Sequence, residues 1–159
     1  MKIETSWISK RTGKEVRAYF EEADDFSNLP QEKIKSICAF CYLDGQFVVV
    51  KNNSNWEPVA GHVEVGETPE QALIREIKEE SNMKVLKCFP IGYLYTYGEN
   101  IYQTRYLCLV EPYGPFVSDP DGGVTEIKLV KPEDLPSVID WRDTALLMKD
   151  RCLKILTNL

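Results

Sequence analysis

Residues 61–83 read GHVEVGETPEQALIREIKEESNM, and this stretch decides the fold. Thr68 can accept from the first free backbone amides of a helix. Pro69 then sits at the first helical position, where its missing N–H costs nothing, and Gln71 completes a Thr-x-x-Gln capping box. The helix is expected to run to about Ser81, with Asn82 at the left-handed stop, a conformation asparagine tolerates better than other non-glycine residues. At about 100° per residue, Glu76, Glu79 and Glu80 share one arc about 100° wide, and Leu73, Ile77 and Ile74 fill the neighbouring arc. One side is therefore expected to pack on a sheet while its edge gathers three like charges. Such crowding repels by a few tenths of a kcal/mol per exposed pair. A hard divalent cation with oxygen ligands reverses that sign, and Mg²⁺ suits carboxylates that also meet substrate phosphates.

The charge distribution points the same way. The chain has 159 residues and a net charge of -6, and residues 61–83 carry six glutamates against one arginine and one lysine, which is -4 of that excess. No basic stripe marks a sequence-independent grip on DNA or RNA, which Lys and Arg would have to supply. The length suits one domain, and the 43% apolar composition suits a globular core.

Working outward, Ile34 to Leu43 and Gln46 to Val50 flank Asp44-Gly45, a pair suited to a type I′ hairpin. Asn52 to Asn55 reads as a polar loop and Trp56 to Ala60 as a short extended piece leading to Gly61. After the helix, Val85 to Phe89, Ile91 to Tyr97, Ile101 to Val110 and Thr125 to Val130 are strands, and residues 112–123, rich in Pro and Gly, form a loop. Pro132 to Pro136 is a turn, and Asp140 is expected to cap a final helix reaching Leu156. Residues 1–34 read as an N-terminal hairpin and connector, either a sheet edge or an arm that pairs with a second subunit in a homodimer.

The segment from Gly61 resembles the Nudix box, G-x5-E-x7-R-E-U-x-E-E-x-G-U with U aliphatic. Gly61, Glu67, Arg75, Glu76, Ile77, Glu79, Glu80 and Met83 fall on its positions, and Asn82 alone departs, where the family has glycine. The resemblance implies an α/β fold, an α/β/α sandwich with a mixed β-sheet between helices, in a single domain over residues 1–159. It also implies Mg²⁺- or Mn²⁺-dependent hydrolysis of the pyrophosphate bond of a nucleoside diphosphate linked to another moiety. Glu76, Glu79 and Glu80, with the Gly61 carbonyl, would be the metal ligands. Arg75 would brace the carboxylates, and Glu67 would fix Arg75 and the loop.

The general base is open among Glu76, Glu79 and Glu126, the last following the glycine-rich loop. His62, the single histidine, is a candidate for phosphate contact or plain solvent exposure. Trp56 and Tyr97 lead the aromatic candidates for holding a base, ahead of Tyr93, Tyr95, Arg105, Tyr113 and Phe116. Gly98 and Glu99 to Ile101 occupy the places where family members for ADP-ribose or dinucleoside polyphosphates carry proline or tyrosine. By elimination the expected substrate is a nucleoside triphosphate. ADP-ribose or another nucleotide sugar, and a non-catalytic nucleotide-binding module, are the alternatives.

Five cysteines, no signal-like N-terminus and no apolar run of bilayer length set the expectation of a cytoplasmic protein with no membrane partner. Cys38 and Cys41 form a C-x-x-C, yet in a strand they face opposite sides, so a zinc or redox centre is disfavoured.

Overall fold

A computed structural model of the chain describes residues 2–159. The chain opens with an antiparallel hairpin, β1 (Lys2–Ile8) and β2 (Glu15–Glu22). β3 (Ile34–Leu43) and β4 (Gln46–Asn52) follow, turning through Asp44 and Gly45 at φ 49° and 82°, the two positive angles a type I′ turn needs. The expected loop after β4 is a second tight turn. Asn53 and Ser54, at φ 51° and 70°, lead directly into β5 (Asn55–Glu57). Next come β6 (Val59–His62), α1 (Pro69–Ser81), β7 (Met83–Thr96), β8 (Ile101–Pro112), β9 (Val124–Val130), the single turn α2 (Leu135–Val138) and α3 (Asp143–Thr157).

The strands form one mixed sheet in the order β1-β2-β7-β8-β3-β4-β5, with β6 added to β3 and β9 to β4; β3 and β8 are parallel. Strand β3 is apolar almost throughout because both of its faces are covered. On one face α1 packs Ala72, Leu73 and Ile77 onto Ile37, Ala39, Val59 and Tyr106. On the other, α3 packs Ala145, Met148 and Cys152 onto Phe20, Cys38, Phe40 and Leu107. Each fully buried Leu or Ile of α1 contributes about 1.5–3 kcal/mol. Cys38 and Cys41 lie in opposite clusters with free thiols; burial pushes Cys38 up to about 12, which leaves it inert.

Three further expectations change. The two strands proposed over 85–97 are one strand, and Pro90 is accommodated where the β7–β8 register shifts between Pro90 and Gly92. Asp140 does not cap α3: the cap position is Arg142, at φ 52° with no side-chain cap bond. Ile74 is exposed, whereas Glu76 and Glu80 lie inside the buried stripe of α1 rather than along its edge.

The site is positioned by a fork in the sheet. Ser36 to Ala39 of β3 pair with β6, while Cys41 to Leu43 pair with β4. β6 therefore slots in beside the first half of β3, directly beneath α1, and delivers Gly61 to the helix.

Candidate active site

The start of α1 is built as its sequence requires. The Thr68 hydroxyl accepts from the Gln71 amide at 3.1 Å, and the Gln71 side chain accepts from the Thr68 amide at 2.9 Å. Asn82 ends the helix at φ 54°, ψ 43°, and its Nδ2 donates to the carbonyls of Gly114 and Pro115, which fastens the following loop to the helix end.

The box residues converge. Gly61 lies so close to α1 that a Cβ there would stand 2.2 Å from Glu76 Cδ and 2.4 Å from its Oε1, so a larger residue would push this carboxylate from its present position. The neighbouring Ala60 amide donates to Glu80 Oε1 at 3.3 Å. Arg75 is the hub. Its Nε and Nη2 donate to the two Glu67 oxygens at 2.7 and 3.0 Å, Nη1 to Glu76 Oε1 at 2.8 Å and Glu79 Oε2 at 3.2 Å, and Nη2 to the His62 carbonyl at 3.0 Å. Glu67 also accepts the Glu64 amide at 2.9 Å, so the loop before α1 is tied to the same guanidinium.

These contacts divide the acidic groups electrostatically. The hydrogen bonds from Arg75 and the Glu64 amide hold Glu67 down at about 2. Glu80 is pushed up to about 8, chiefly by burial, with Glu76, Asp119 and Glu57 adding to the rise and the Ala60 amide opposing it. Burial also raises Glu76 despite its bond to Arg75, and burial with Asp121 raises Glu79. Burial is thus the first cause of the rise at Glu76, Glu79 and Glu80, and one guanidinium serves the whole group of carboxyls.

Other expected residues are distributed more widely. His62 is exposed and contributes its carbonyl rather than its imidazole. Glu126 lies on β9 and pairs with Lys51 at 3.1 Å. Trp56, on β5, packs against the α3-side core with Lys128 4.3 Å and Lys51 5.9 Å from its ring centroid. Tyr97 is not brought to the carboxylates: its hydroxyl donates to Glu4 at 2.9 Å, and its ring joins Tyr19 and Tyr95 on the hairpin side of the sheet.

The structure adds two acidic residues that the linear reading passed over as loop. Asp119 is buried and accepts the Asp121 and Val124 amides at 2.9 and 3.0 Å. Asp121 lies close enough for its charge to raise both Glu76 and Glu79. The pair in Ser118-Asp119-Pro120-Asp121 was the available signal, but only folding brings it to α1. The same loop bounds a cleft of about 470 Å³ with Arg75, Lys78, Glu79 and Asn82 on the helix side and Pro115, Val117, Ser118 and Pro120 on the other.

Among the described residues no three acidic, histidine or cysteine side chains already converge as a formed cation site, and Arg75 lies across Glu76 and Glu79. The donor chemistry nonetheless fits a hard divalent ion: oxygen ligands only, carboxylates in excess of cation, and a glycine that leaves room beside Glu76.

The family model described as NUDIX domain matches residues 32–149. The Mycobacterium tuberculosis (strain CDC 1551 / Oshkosh) protein MutT4 is 33% identical over 92 residues, covering 55% of this chain but 37% of that protein, so the match spans little more than a third of the relative's length. Among solved structures, the Bacillus subtilis pyrophosphohydrolase BsRppH is similar with a TM-score of 0.68 at 18% identity, covering 94% of this chain and 96% of that one. A C. elegans Ap4A hydrolase matches with a TM-score of 0.56 at 22% identity, covering 77% and 96%. An ADP-ribose pyrophosphatase of Streptococcus suis 89-1591 matches with 0.56 at 16%, covering 76% and 89%. At these identities the likeness establishes the fold, an α/β sandwich on a mixed sheet.

Proposed function

The chain belongs to the NUDIX domain family, and on that premise we propose that it is a divalent-metal-dependent hydrolase of a pyrophosphate bond in a nucleoside diphosphate derivative, with a nucleoside triphosphate the favoured substrate. The observation that carries the reading is the Gly61–Glu76 contact. A glycine whose every substituent would strike a buried carboxylate, beside two more glutamates on the same helix, has little purpose in a merely solvated acidic face.

Glu76, Glu79, Glu80 and the Gly61 carbonyl would hold Mg²⁺ or Mn²⁺. When bound, the ion supplies charge neutralisation of the pyrophosphate oxygens and Lewis-acid assistance to the attacking water. Arg75 holds the Glu76 and Glu79 carboxylates in place, and Glu67 holds Arg75, so two layers of charge-assisted hydrogen bonds orient the reacting groups. The proton released by the attacking water passes to the carboxylate of Glu79, which lines the cleft and whose affinity for a proton is raised by burial and by the charge of Asp121. Glu126, bound to Lys51, is the weaker claimant. The loop over residues 113–123 forms the wall opposite α1 and screens the anhydride from bulk water.

The test is a panel of nucleoside triphosphates, ADP-ribose and dinucleoside polyphosphates incubated with Mg²⁺ or Mn²⁺ and resolved by chromatography. Cleavage between phosphorus atoms, with a nucleoside monophosphate among the products, is the expected result. Metal binding without turnover of any member overturns the hydrolase reading and leaves a nucleotide-binding module.

A further inference from the structure

Asn82 stands where the Nudix box has glycine, and ending the helix does not account for it. Its backbone holds φ 54° and ψ 43°, a conformation glycine adopts without a Cβ penalty, so a glycine would stop α1 at least as well. What asparagine adds is a side-chain amide. Nδ2 donates to the Pro115 carbonyl at 3.2 Å and to the Gly114 carbonyl at 3.4 Å. Two acceptors fix the orientation of that amide, because the flipped form would set oxygen against oxygen. The Asn82 carbonyl also accepts the Tyr113 amide at 3.0 Å, and a Cβ on Gly114 would lie 3.8 Å from Nδ2, so the loop and the helix end are in ordinary contact. One turn earlier on α1, Lys78 Nζ stands 5.2 Å from the Tyr113 ring centroid.

These ties fall on the wall of the cleft. Asn82 and Pro115 line it from opposite sides, and the bond between them is where the two walls join. Glu79 lies one turn before Asn82, about 4.5 Å along the helix axis, and lines the same cleft. Beyond the join, Phe116 packs against the α1-side core, and Asp119 accepts the Asp121 and Val124 amides. Val117, between those two anchors, is 84% exposed and lines the cleft. The loop is therefore held at both ends while its middle forms the wall. Without the first tie the wall would sample wider positions, and a bound ligand would have to order it. That cost appears as weaker binding and not as slower chemistry.

We propose that Asn82 is a positioning residue whose side-chain amide latches residues 113–118 to the end of α1 and so presets the width of the cleft for the nucleotide. It carries no charge and lies a turn from Glu79, so its effect falls on KM and leaves kcat to the α1 carboxylates. This rests on the nucleotide-site reading above, but two of its three readouts need no turnover. Asn82→Gly keeps the helix stop and deletes the amide, whereas Asn82→Asp keeps the shape and replaces both donors by acceptors. In hydrogen exchange followed by mass spectrometry, amides within 113–118 should exchange about fivefold or more faster in both variants, with 119–124 unchanged. Calorimetry with α,β-methylene ATP and Mg²⁺ should show about fivefold weaker binding to Asn82→Gly. On the fastest-cleaved nucleoside triphosphate, Asn82→Gly should raise KM by a similar factor, with kcat within about twofold of the wild type. Unchanged exchange over 113–118 in Asn82→Asp overturns the proposal, whatever Asn82→Gly does, because the amide then holds nothing. So does equal affinity of the wild type and Asn82→Gly for the analogue, binding by neither included, or a fall in kcat with KM unchanged. Faster exchange and weaker analogue binding, in a protein that cleaves no member of the panel, retain the latch and sink the hydrolase. Turnover by a wild type whose variants match it in all three readouts does the reverse.

Discussion

Two partly or fully buried arginines sit on opposite sides of one sheet and are treated in opposite ways. Arg75 on α1 is shared by Glu67, Glu76 and Glu79, with Glu64 3.7 Å away, so every carboxylate around it bears on its position. Arg105 on β8 is more deeply buried and is matched only by two aromatic rings, an amide oxygen and a sulfur. A cation surrounded by its counter-charges is a brace; a cation set among rings is held by cation–π contact and packing. The difference predicts that damage to the Arg75 network removes rate, whereas Arg105→Met changes the melting temperature and leaves the rate largely intact.

The largest expected effect comes from the carboxylates themselves. Glu76→Gln or Glu80→Gln should lower kcat on order of 10²-fold or more, with far-ultraviolet circular dichroism unchanged, because the cation that would neutralise the pyrophosphate loses a charged ligand. Gly61→Ala should follow, at about 10–100-fold, because the new methyl displaces the Glu76 carboxylate by contact while leaving all charges in place. If Gly61→Ala retains full activity, the close approach has no catalytic meaning.

Glu67→Gln sharpens the brace. It should lower kcat by about 10-fold and also lower Tm at pH 7. The sign follows from its depressed pKa. Glu67 stabilises the fold when ionised, fully above about 4.5, and that contribution is lost as pH falls through about 2. Melts of the two proteins should therefore differ at pH 7 and converge toward pH 2.

Glu80 has the opposite sign. With its folded pKa near 8, the folded state holds a proton that the unfolded chain has already released, so metal-free protein should lose stability between about pH 4.5 and 8. Glu80→Gln should remove that slope, a change on the order of a few kcal/mol at pH 8, and saturating Mg²⁺ should remove it in the wild type. The smallest effect belongs to Asn82→Gly. The left-handed stop should be retained or eased, and only the bonds to the Gly114 and Pro115 carbonyls are lost, so Tm should move by no more than a few degrees.

Much of this is legible in the linear sequence where the determinants are local. The α1 capping box, the Asn82 stop and the Asp44-Gly45 turn each depend on residues within four positions of one another, and each forms as its chemistry directs. Arg75 and Glu79, four positions apart on α1, are likewise a local pair, and their side chains meet at 3.2 Å. Helical periodicity alone misplaced Ile74 and the glutamates, because an apolar residue is normally the one buried and here Glu76 and Glu80 take that place. Other features depend on strand register. Tyr97 lies on the hairpin side because β7 pairs with β2, Asp121 reaches α1 because β9 returns along β4, and Arg105 loses any counter-charge because β3 and β7 flank it with Cys38 and Gly92. No spacing in the chain encodes those neighbours.

The central claim, a metal-dependent pyrophosphohydrolase built on α1, is tested most directly by Glu79→Gln beside the wild type, on the best member of the substrate panel with saturating Mn²⁺. The account predicts steady release of nucleoside monophosphate by the wild type and a loss on order of 10²-fold or more in a variant with an unchanged melting profile. Equal rates in the two proteins would contradict it.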